Sequence, residues 1–425
     1  MTDSITDFHR RAAEALAAYY AASERSPEDW REIEAWHWEQ AGAFSEAADA
    51  ALSVAEMRVA RLDFTAARQW AERTLALIER LNPAERRSYE LRAYALALVV
   101  LEFGGQYREG LDYARRMLRV AQEHDNVEAE ARAHLAVGRM QRELTQLTIA
   151  EAALQQARML AERNELYELE AEVRVHLAKV HQLQGRHLEA LQELQLAQEE
   201  QEQHDDRVKM ARVFTGIGDI YRVLGSGREA LTFYTRALSL EQGRGSRLGQ
   251  AILKDKLALA FLEQNRLEDA LAEEQESLRL RESLGDIVGQ ARSSSVLGRI
   301  MNRLGQHEQA LTYHERSREL EEQTQNPRGQ GIALAHLGDT ARALREYDRA
   351  RDYYQRGLAL TRRDNDQIGL ARTLERMGDL CSEASQHNEA NGYWSEALKI
   401  REALHHADES SALRERIRTG LPPRR

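Results

Sequence analysis

Two glycines in a helical stretch are candidates for a phosphate-binding loop. They are Gly225 and Gly227, in the segment GIGDIYRVLGSGREALTFYTRAL at residues 216–238. A glycine-rich loop that opens a helix can hold a phosphate, but the nucleotide-binding version also needs a Lys-Ser/Thr pair after its last glycine. No such pair follows Gly227. We therefore interpret the two glycines as a corner between two helices.

The other reactive side chains lack the spacing of a catalytic or metal-binding motif. Among the 14 histidines no two are four residues apart, which is the spacing that places two ligands on one face of a helix. Ser293, Ser294 and Ser295 lack the glycines of a nucleophile elbow. The single cysteine, Cys381, is predicted to be a buried core residue rather than a nucleophile. We expect a non-enzymatic protein with no metal and no cofactor.

Composition favours an all-α protein. The 425 residues include five prolines, 6% aromatic and 30% charged residues, so helix formers predominate and large side chains for one thick core are scarce. No window of 18 residues is continuously apolar, which predicts no membrane span. The net charge of −11 disfavours nucleic acid as a partner. One cysteine and no signal-peptide pattern predict a cytoplasmic location.

The sequence repeats at steps of 40 residues. One column of positions holds only glycine or alanine: Gly110, Ala150, Ala190, Ala230, Ala270, Ala310, Ala350 and Ala390. A second column lies twelve residues earlier and is small in seven of eight copies: Leu98, Gly138, Ala178, Gly218, Ala258, Gly298, Gly338 and Gly378. Eight copies in one register, without an insertion or deletion, indicate a repeated structural unit.

Each repeat is predicted to be an antiparallel pair of helices. Phe214, Ile217, Tyr221 and Leu224 share one helical face, and a second apolar stripe begins at Leu231. Gly225 lies between the two stripes, where a positive φ would end the first helix. The small residues Gly218 and Ala230 are expected to face each other across the pair.

This layout resembles the tetratricopeptide repeat (TPR) family over residues 88 to about 405. The resemblance rests on Gly218, Tyr221, Ala230, Tyr234 and Ala237, and it implies a right-handed superhelical solenoid of antiparallel helix pairs that binds proteins or peptides. The repeats of 40 residues are about six residues longer than the basic unit of the family. A second mark, SRLGQA, DIVGQA, NPRGQG and DQIGLA, places Gly249, Gly289, Gly329 and Gly369 at the start of each first helix.

Three regions are predicted. Residues 1–82 form an atypical helical layer, whose tryptophans Trp30, Trp36 and Trp38 we interpret as core anchors, and whose stretch around RLDFTAARQW we expect to share or merge helices. Residues 83–405 form eight repeats. Residues 406–425 form a capping helix, capped at Asp408 or Ser410 and ended by Gly420, and then a disordered tail.

The N-terminal phrases HRRAAEALA and AWHWEQAG resemble the stretch that precedes the TPR sensor in signal-transduction ATPases of the STAND type, relatives of the NOD-like receptors. This resemblance implies a ligand-sensing region whose ATPase module lies outside this chain. The alternative is a free-standing TPR adaptor that tethers partner proteins without an attached ATPase.

The ligand is expected to lie in the concave groove that the first helices form. Nine residues are predicted to line it: Arg132, Arg139, Arg142, Arg212, Arg222, Arg292, Arg299, Asn302 and Arg303. Arginine forks suit carboxylate or phosphate groups, so the expected partner is an acidic protein or peptide segment. The alternative interpretation is that these arginines pair with acids one repeat away, as Arg222 would with Glu263 and Arg342 with Glu383.

Overall fold

The computed structural model describes residues 2–22, 28–204, 207–364, 366–404 and 407–421. Within these ranges the chain forms 21 helices and no strand, so the all-α prediction is confirmed. None of the described helices is both long enough and apolar enough to cross a bilayer. The expected helix stop near Pro27, the pair His405-His406 and the tail at residues 422–425 lie outside the described residues.

The chain forms two compact bodies, Met1–Val180 and His181–Arg425. The N-terminal body contains α1 (Thr2–Ala22), α2 (Glu28–Gln40), α3 (Phe44–Ala60), α4 (Phe64–Ile78), α5 (Pro83–Phe103), α6 (Tyr107–Glu123), α7 (Val127–Glu143), α8 (Leu147–Arg163) and most of α9 (Tyr167–Leu183). From α1 to α8, each helix packs against the next one in the chain. The stretch around RLDFTAARQW is a separate helix, α4, so the helices do not merge here. The 20-residue step is the distance from one helix to the next, and α3 is shared in the sense that it packs against both α2 and α4.

The C-terminal body contains α10 (His187–His204), α11 (Arg207–Val223), α12 (Gly227–Gly243), α13 (Arg247–Glu263), α14 (Leu267–Leu284), α15 (Ile287–Arg303), α16 (His307–Gln323), α17 (Pro327–Ala343), α18 (Tyr347–Asp364), α19 (Gln367–Glu383), α20 (His387–Ala403) and α21 (Ala407–Thr419). The closest pairs are α11 with α12, α13 with α14, α15 with α16, α17 with α18 and α19 with α20, as the repeat predicts.

The 40-residue period follows from the helix and connection lengths. Most helices have 17 residues, and about three residues connect each to the next, so one pair with its connections takes 40. A residue near the middle of nearly every described connection has a positive φ, as at Gly225 (+75°), which confirms the predicted corner; the connection from α4 to α5 has none. At several corners this residue is not glycine, for example Thr145 (+61°) and Gln325 (+55°).

The segments SRLGQA, DIVGQA, NPRGQG and DQIGLA lie at the start of the first helices of four repeats. Ser246, Asp286, Asn326 and Asp366 cap these helices, and each side chain accepts a hydrogen bond from the backbone N–H of a glycine three residues later. The predicted position of Gly249, Gly289, Gly329 and Gly369 is therefore confirmed. Gly329 leaves room for the Glu321 carboxylate, because a Cβ there would lie 2.2 Å from one of its oxygens and the glutamate would have to shift.

The contact inside a pair differs from the predicted one. A Cβ on Gly218 would lie 2.6 Å from a ring carbon of Tyr234, so this glycine makes room for the tyrosine ring rather than for Ala230. The reason is that a helical side chain leans toward the N-terminal end of its helix, which carries the Tyr234 ring back over the first turn. Ala230 and Tyr234 are both fully buried.

The two ends of the chain depart from the predictions in detail. Trp30 and Trp36 are 47% and 45% exposed, so their interpretation as core anchors is wrong, whereas Trp38 packs partly buried against the alanine-rich core of α2 and α3. Helix α21 packs on α20 and ends at Gly420, as predicted, with φ +67°. It begins at Ala407, so Asp408 and Ser410 lie inside the helix and do not form its cap.

Candidate functional site

The first helices of the repeats in the C-terminal body lie side by side. Besides packing on its own partner, α13 contacts α15, α15 contacts α17, and α17 contacts α19. Each first helix therefore presents a line of polar side chains next to the line of the neighbouring repeat. Most of the predicted groove residues lie on these lines.

Two predicted ion pairs between neighbouring repeats are present. The Arg222 guanidinium pairs with the Glu263 carboxylate. Arg342 lies 4.0 Å from Glu383 and 3.8 Å from Asp379, measured between the charged atoms. These contacts confirm that part of the charge on the first helices joins one repeat to the next.

Three more of the predicted groove residues are held by neighbouring repeats. Arg292 lies 2.8 Å from the buried carboxylate of Asp255. Arg303 donates to the side-chain oxygen of Asn265 at 2.8 Å. The amide of Asn302 donates to the Thr340 hydroxyl at 2.7 Å.

The predicted arginines of the N-terminal body are also paired. Arg139 forms an ion pair with Glu102, one repeat earlier. Arg142 lies 2.6 Å from Glu143 and 2.9 Å from the Nδ1 of His176. Arg132 is exposed and lies 2.9 Å from Glu128 on its own helix. Arg212, in the C-terminal body, is exposed on α11.

Arg299 differs from the other predicted arginines. The half-buried guanidinium makes no hydrogen bond or ion pair with any described residue. Burial lowers the pKa of Arg299, Arg222 and Arg376 act in the same direction, and Glu263 opposes them. Arg299 lines a cavity of about 230 Å³ whose other walls are Leu262, Glu263, Asn302, Arg303, His314, His336 and Asp339. An arginine with unused donors in a concave site can bind an anion.

Two histidines form the inner wall of this cavity. His314, on α16, is fully buried, and neither ring nitrogen has a hydrogen-bond partner among the described residues. Its ring centroid lies 5.1 Å from that of His336 on α17, whose Nδ1 is 3.0 Å from the Ser295 hydroxyl. Burial lowers the pKa of His314 to about 4, so the ring is neutral at pH 7. Burial also lowers the pKa of His336 well below its usual range.

A recurring polar contact inside the repeats was not predicted from the sequence. Tyr234 donates to Asp219 at 2.7 Å, and Tyr354 donates to Asp339 at 2.7 Å. The indole N–H of Trp394 donates to Asp379 at 3.1 Å. The signal was present in the sequence: in these repeats an aspartate directly follows the small residue of the second column, and an aromatic residue lies 15 positions later.

A buried acidic cluster between α13, α14 and α15 was also missed. Glu274 and Asp255 are both fully buried. Burial, assisted by the Asp255 charge, raises the pKa of Glu274 to about 8, so its carboxyl group is protonated at pH 7. Ser277 and Ser293 lie beside this cluster, with their hydroxyls 3.3 Å apart. The apolar pattern of the repeats gives no reason to expect a carboxyl group at a core position.

Cys381 is fully buried, as predicted. Burial raises the pKa of its thiol. The described residues contain no group of three or more His, Cys, Asp or Glu side chains placed to hold a metal ion.

The stacked helix pairs and the line of polar side chains on their first helices define a helical-repeat binding protein. The chain belongs to the tetratricopeptide repeat family: the family model matches residues 169–240, 209–283, 289–363 and 332–403. Arrays of this family bind protein or peptide partners and are generally non-catalytic. No curated protein matches the chain.

Several solved structures share the fold. The apo form of the quorum sensor NprR from B. thuringiensis is 15% identical, with 84% of this chain and 98% of that chain covered and a TM-score of 0.53. A Rap protein complexed with competence and sporulation factor is 14% identical, with 80% and 98% covered and a TM-score of 0.52. A STAND protein with a tetratricopeptide repeat sensor from Pyrococcus horikoshii is 16% identical, with 84% and 54% covered and a TM-score of 0.51. At these identities the similarity establishes the fold alone.

Proposed function

We propose that the C-terminal body binds an acidic segment of a protein or peptide along α13, α15 and α17. The observation that carries this proposal is the guanidinium of Arg299, which pairs with none of the described residues and lines a cavity of about 230 Å³ beside arginines that neighbouring repeats already hold. A paired arginine must break an existing contact before it can bind a ligand, whereas Arg299 has donors to offer. Arg299 is therefore the anchor, and Asn302 and Arg303, which neighbouring repeats already hold, line the walls beside it.

We further propose that this binding serves as the sensor of a STAND-type signalling protein. Two observations support this role: the N-terminal phrases HRRAAEALA and AWHWEQAG, and the similar fold of the STAND protein from Pyrococcus horikoshii. In this role the chain has no catalytic activity of its own, is cytoplasmic, and acts on an ATPase module outside residues 1–425. This chain spans 54% of that STAND protein.

The second candidate is a free-standing TPR regulator or adaptor. It is favoured by the similarity to NprR and to the Rap protein, which this chain matches over 98% of their lengths. The coding sequence upstream of Met1 distinguishes the two candidates. An in-frame nucleotide-binding motif would select the sensor, and a separate promoter and start would select the adaptor.

Capture of a partner from the native cell tests the binding function. The bait is the full chain, compared with Arg299→Glu and with Arg279→Glu as a control, since Arg279 on α14 is 69% exposed. We expect wild type and the control to retain the same protein or peptide, and Arg299→Glu to lose it. Binding should weaken as salt concentration rises. Equal retention by all three baits would contradict binding at this groove.

A further inference from the structure

Three repeats of the C-terminal body have an aspartate at the same position of their first helix. The carboxylates are those of Asp219, Asp339 and Asp379, and each accepts a hydrogen bond from the aromatic side chain 15 residues later. Each also binds a cation 37 residues later, on the next helix of the same kind or on α21. These cations are Lys256 at 2.7 Å, Arg376 at 2.8 Å and Arg416 at 3.3 Å.

The repeat that begins at α15 has exchanged all three of these groups. Arg299 stands where the aspartate would be, and His314 stands where the aromatic donor would be. The cation position 37 residues after Arg299 holds His336. Gly298 keeps the room for a ring, since a Cβ there would lie 2.3 Å from His314. The three side chains meet at one cavity, and none of the three is a carboxylate.

The carboxylates that do line the cavity are engaged elsewhere. Asp339 accepts from Tyr354 and lies 2.8 Å from Arg376. Glu263 pairs with Arg222. Arg303, on the same wall, donates to an uncharged amide oxygen. Arg299 and Arg303 are therefore cations that no described carboxylate neutralises by direct contact.

We propose that one carboxylate group of the ligand, an aspartate or glutamate side chain, binds between Arg299, His314 and His336, at the position where the repeats that begin at α11, α17 and α19 place their own aspartate. This inference rests on the proposed function and adds to it the chemistry of the anchoring group. The Arg299 fork donates two N–H groups to the carboxylate, as arginine does in paired carboxylate contacts. The neutral His314 ring, which is fully buried and has no hydrogen-bond partner among the described residues, lines the cavity in which this carboxylate binds.

A small probe tests the site without a peptide partner. The full chain, with ring-¹³C-labelled histidine, is titrated with N-acetyl-aspartate methylamide at pH 7 and constant ionic strength. N-acetyl-asparagine methylamide is the uncharged control, and inorganic phosphate is the competing anion. We expect a saturable shift of the His314 and His336 ring resonances with the aspartate probe alone. No saturable shift, or an equal response to the asparagine probe, would overturn the proposal. Selective binding of phosphate would show that the site takes a different anion.

Two variants make the test specific. Arg299→Gln should weaken binding of the aspartate probe by about tenfold or more, while the matched change Arg279→Gln should leave it unchanged. The double variant Arg299→Asp/His314→Tyr rebuilds the aspartate–tyrosine pair of the repeats that begin at α11 and α17. It should bind no probe and melt at a higher temperature than wild type. If the double variant does not fold, Arg299→Gln still decides, because unchanged probe affinity in that variant would reject the site.

The outcome also separates this inference from the proposed function. Saturable probe binding in a chain that captures no protein or peptide would reject the proposed function and keep the carboxylate site. Capture of a partner that depends on Arg299, without any response to the probe, would keep the groove and reject the carboxylate assignment.

Discussion

Arg139 and Arg299 occupy the same position of two different repeats, and their surroundings give them opposite roles. Arg139 pairs with Glu102 of the preceding repeat, with both side chains largely buried. Arg299 has no such partner among the described residues. The same residue type at the same register position can therefore hold two repeats together or remain available to a ligand.

This difference predicts opposite effects of charge reversal. Arg139→Glu should lower the free energy of unfolding by about 1–2 kcal/mol, because it replaces an ion pair by two adjacent carboxylates. Arg299→Glu should leave the melting temperature unchanged or raise it, because it removes an unpaired and partly buried cation. Thermal melts of the two variants measure both effects. A large loss of stability in Arg299→Glu alone would show that this arginine is structural.

The buried carboxyl of Glu274 predicts a pH dependence of stability. Its pKa is about 8 in the folded chain, against an ordinary value of 4.5. Between these values the folded state holds a proton that the unfolded state has lost, so stability falls as pH rises, by at most about 1.4 kcal/mol per pH unit. The loss is complete above pH 8 for this group.

Urea unfolding of wild type and Glu274→Gln between pH 6.5 and 8 measures this effect. We expect the variant to lose less stability over this interval, because glutamine does not ionise. Glu276→Gln, at a partly exposed carboxylate of the same helix, should follow wild type. Some slope should remain in the variant, because burial raises the pKa of Glu321 to about 7. If the free energy of unfolding fell equally with pH in wild type and Glu274→Gln, a group other than Glu274 would hold the proton.

At the scale of the element, most corners between helices share a residue with a positive φ but differ in sequence. Gly305 at one corner has φ +76°, and Gln325 at the next has φ +55°. A residue with a Cβ has a free-energy cost of roughly 1 kcal/mol in this left-handed conformation. The chain accepts that cost at several of its corners.

Gln325→Gly should therefore raise the free energy of unfolding by about 0.5–1 kcal/mol, and Gly305→Ala should lower it by a similar amount. The reason is that only glycine adopts this backbone conformation without strain. Urea denaturation of the two variants and wild type measures the differences. The same sign of change in both variants would contradict the assignment of strain to the corners.

The sequence predicted the helix pairs because their apolar stripes and corners recur at a fixed step, and such local patterns set the position of each helix. It did not predict the contact of Tyr234 with Asp219, because a tyrosine at an apolar position of an amphipathic helix indicates only a core residue. It predicted Arg299 as one of nine equivalent groove residues. Only the positions of Glu102, Asp255, Asn265 and Glu263 show which of the other arginines are already held.

At the scale of the whole molecule, stability is distributed along the array, because each helix pair packs mainly on its neighbours in sequence. Deleting residues 251–290 removes one pair in phase and joins α12 to α15 through an equivalent corner. This variant should remain folded and cooperative. Deleting residues 251–270 removes half a pair, leaves an apolar stripe without its partner, and should not fold.

Circular dichroism melts and size-exclusion chromatography of the two deletions check this prediction. A shortened but cooperative melt for the first variant and none for the second are the expected results. Equal damage in both would contradict the 40-residue register.

Because the proposed recognition site arises from side-chain exchange at fixed positions of a repeat, the same substitutions can introduce it into another repeat. Asp219→Arg, Tyr234→His and Lys256→His together would make the same three-residue exchange for the repeat that begins at α11, where Gly218 already leaves room for the ring. The position of the anion site along the array therefore depends on which repeat has the exchanged residues. Three substitutions would therefore add such a site to another repeat or remove it from this one, without altering a single helix boundary.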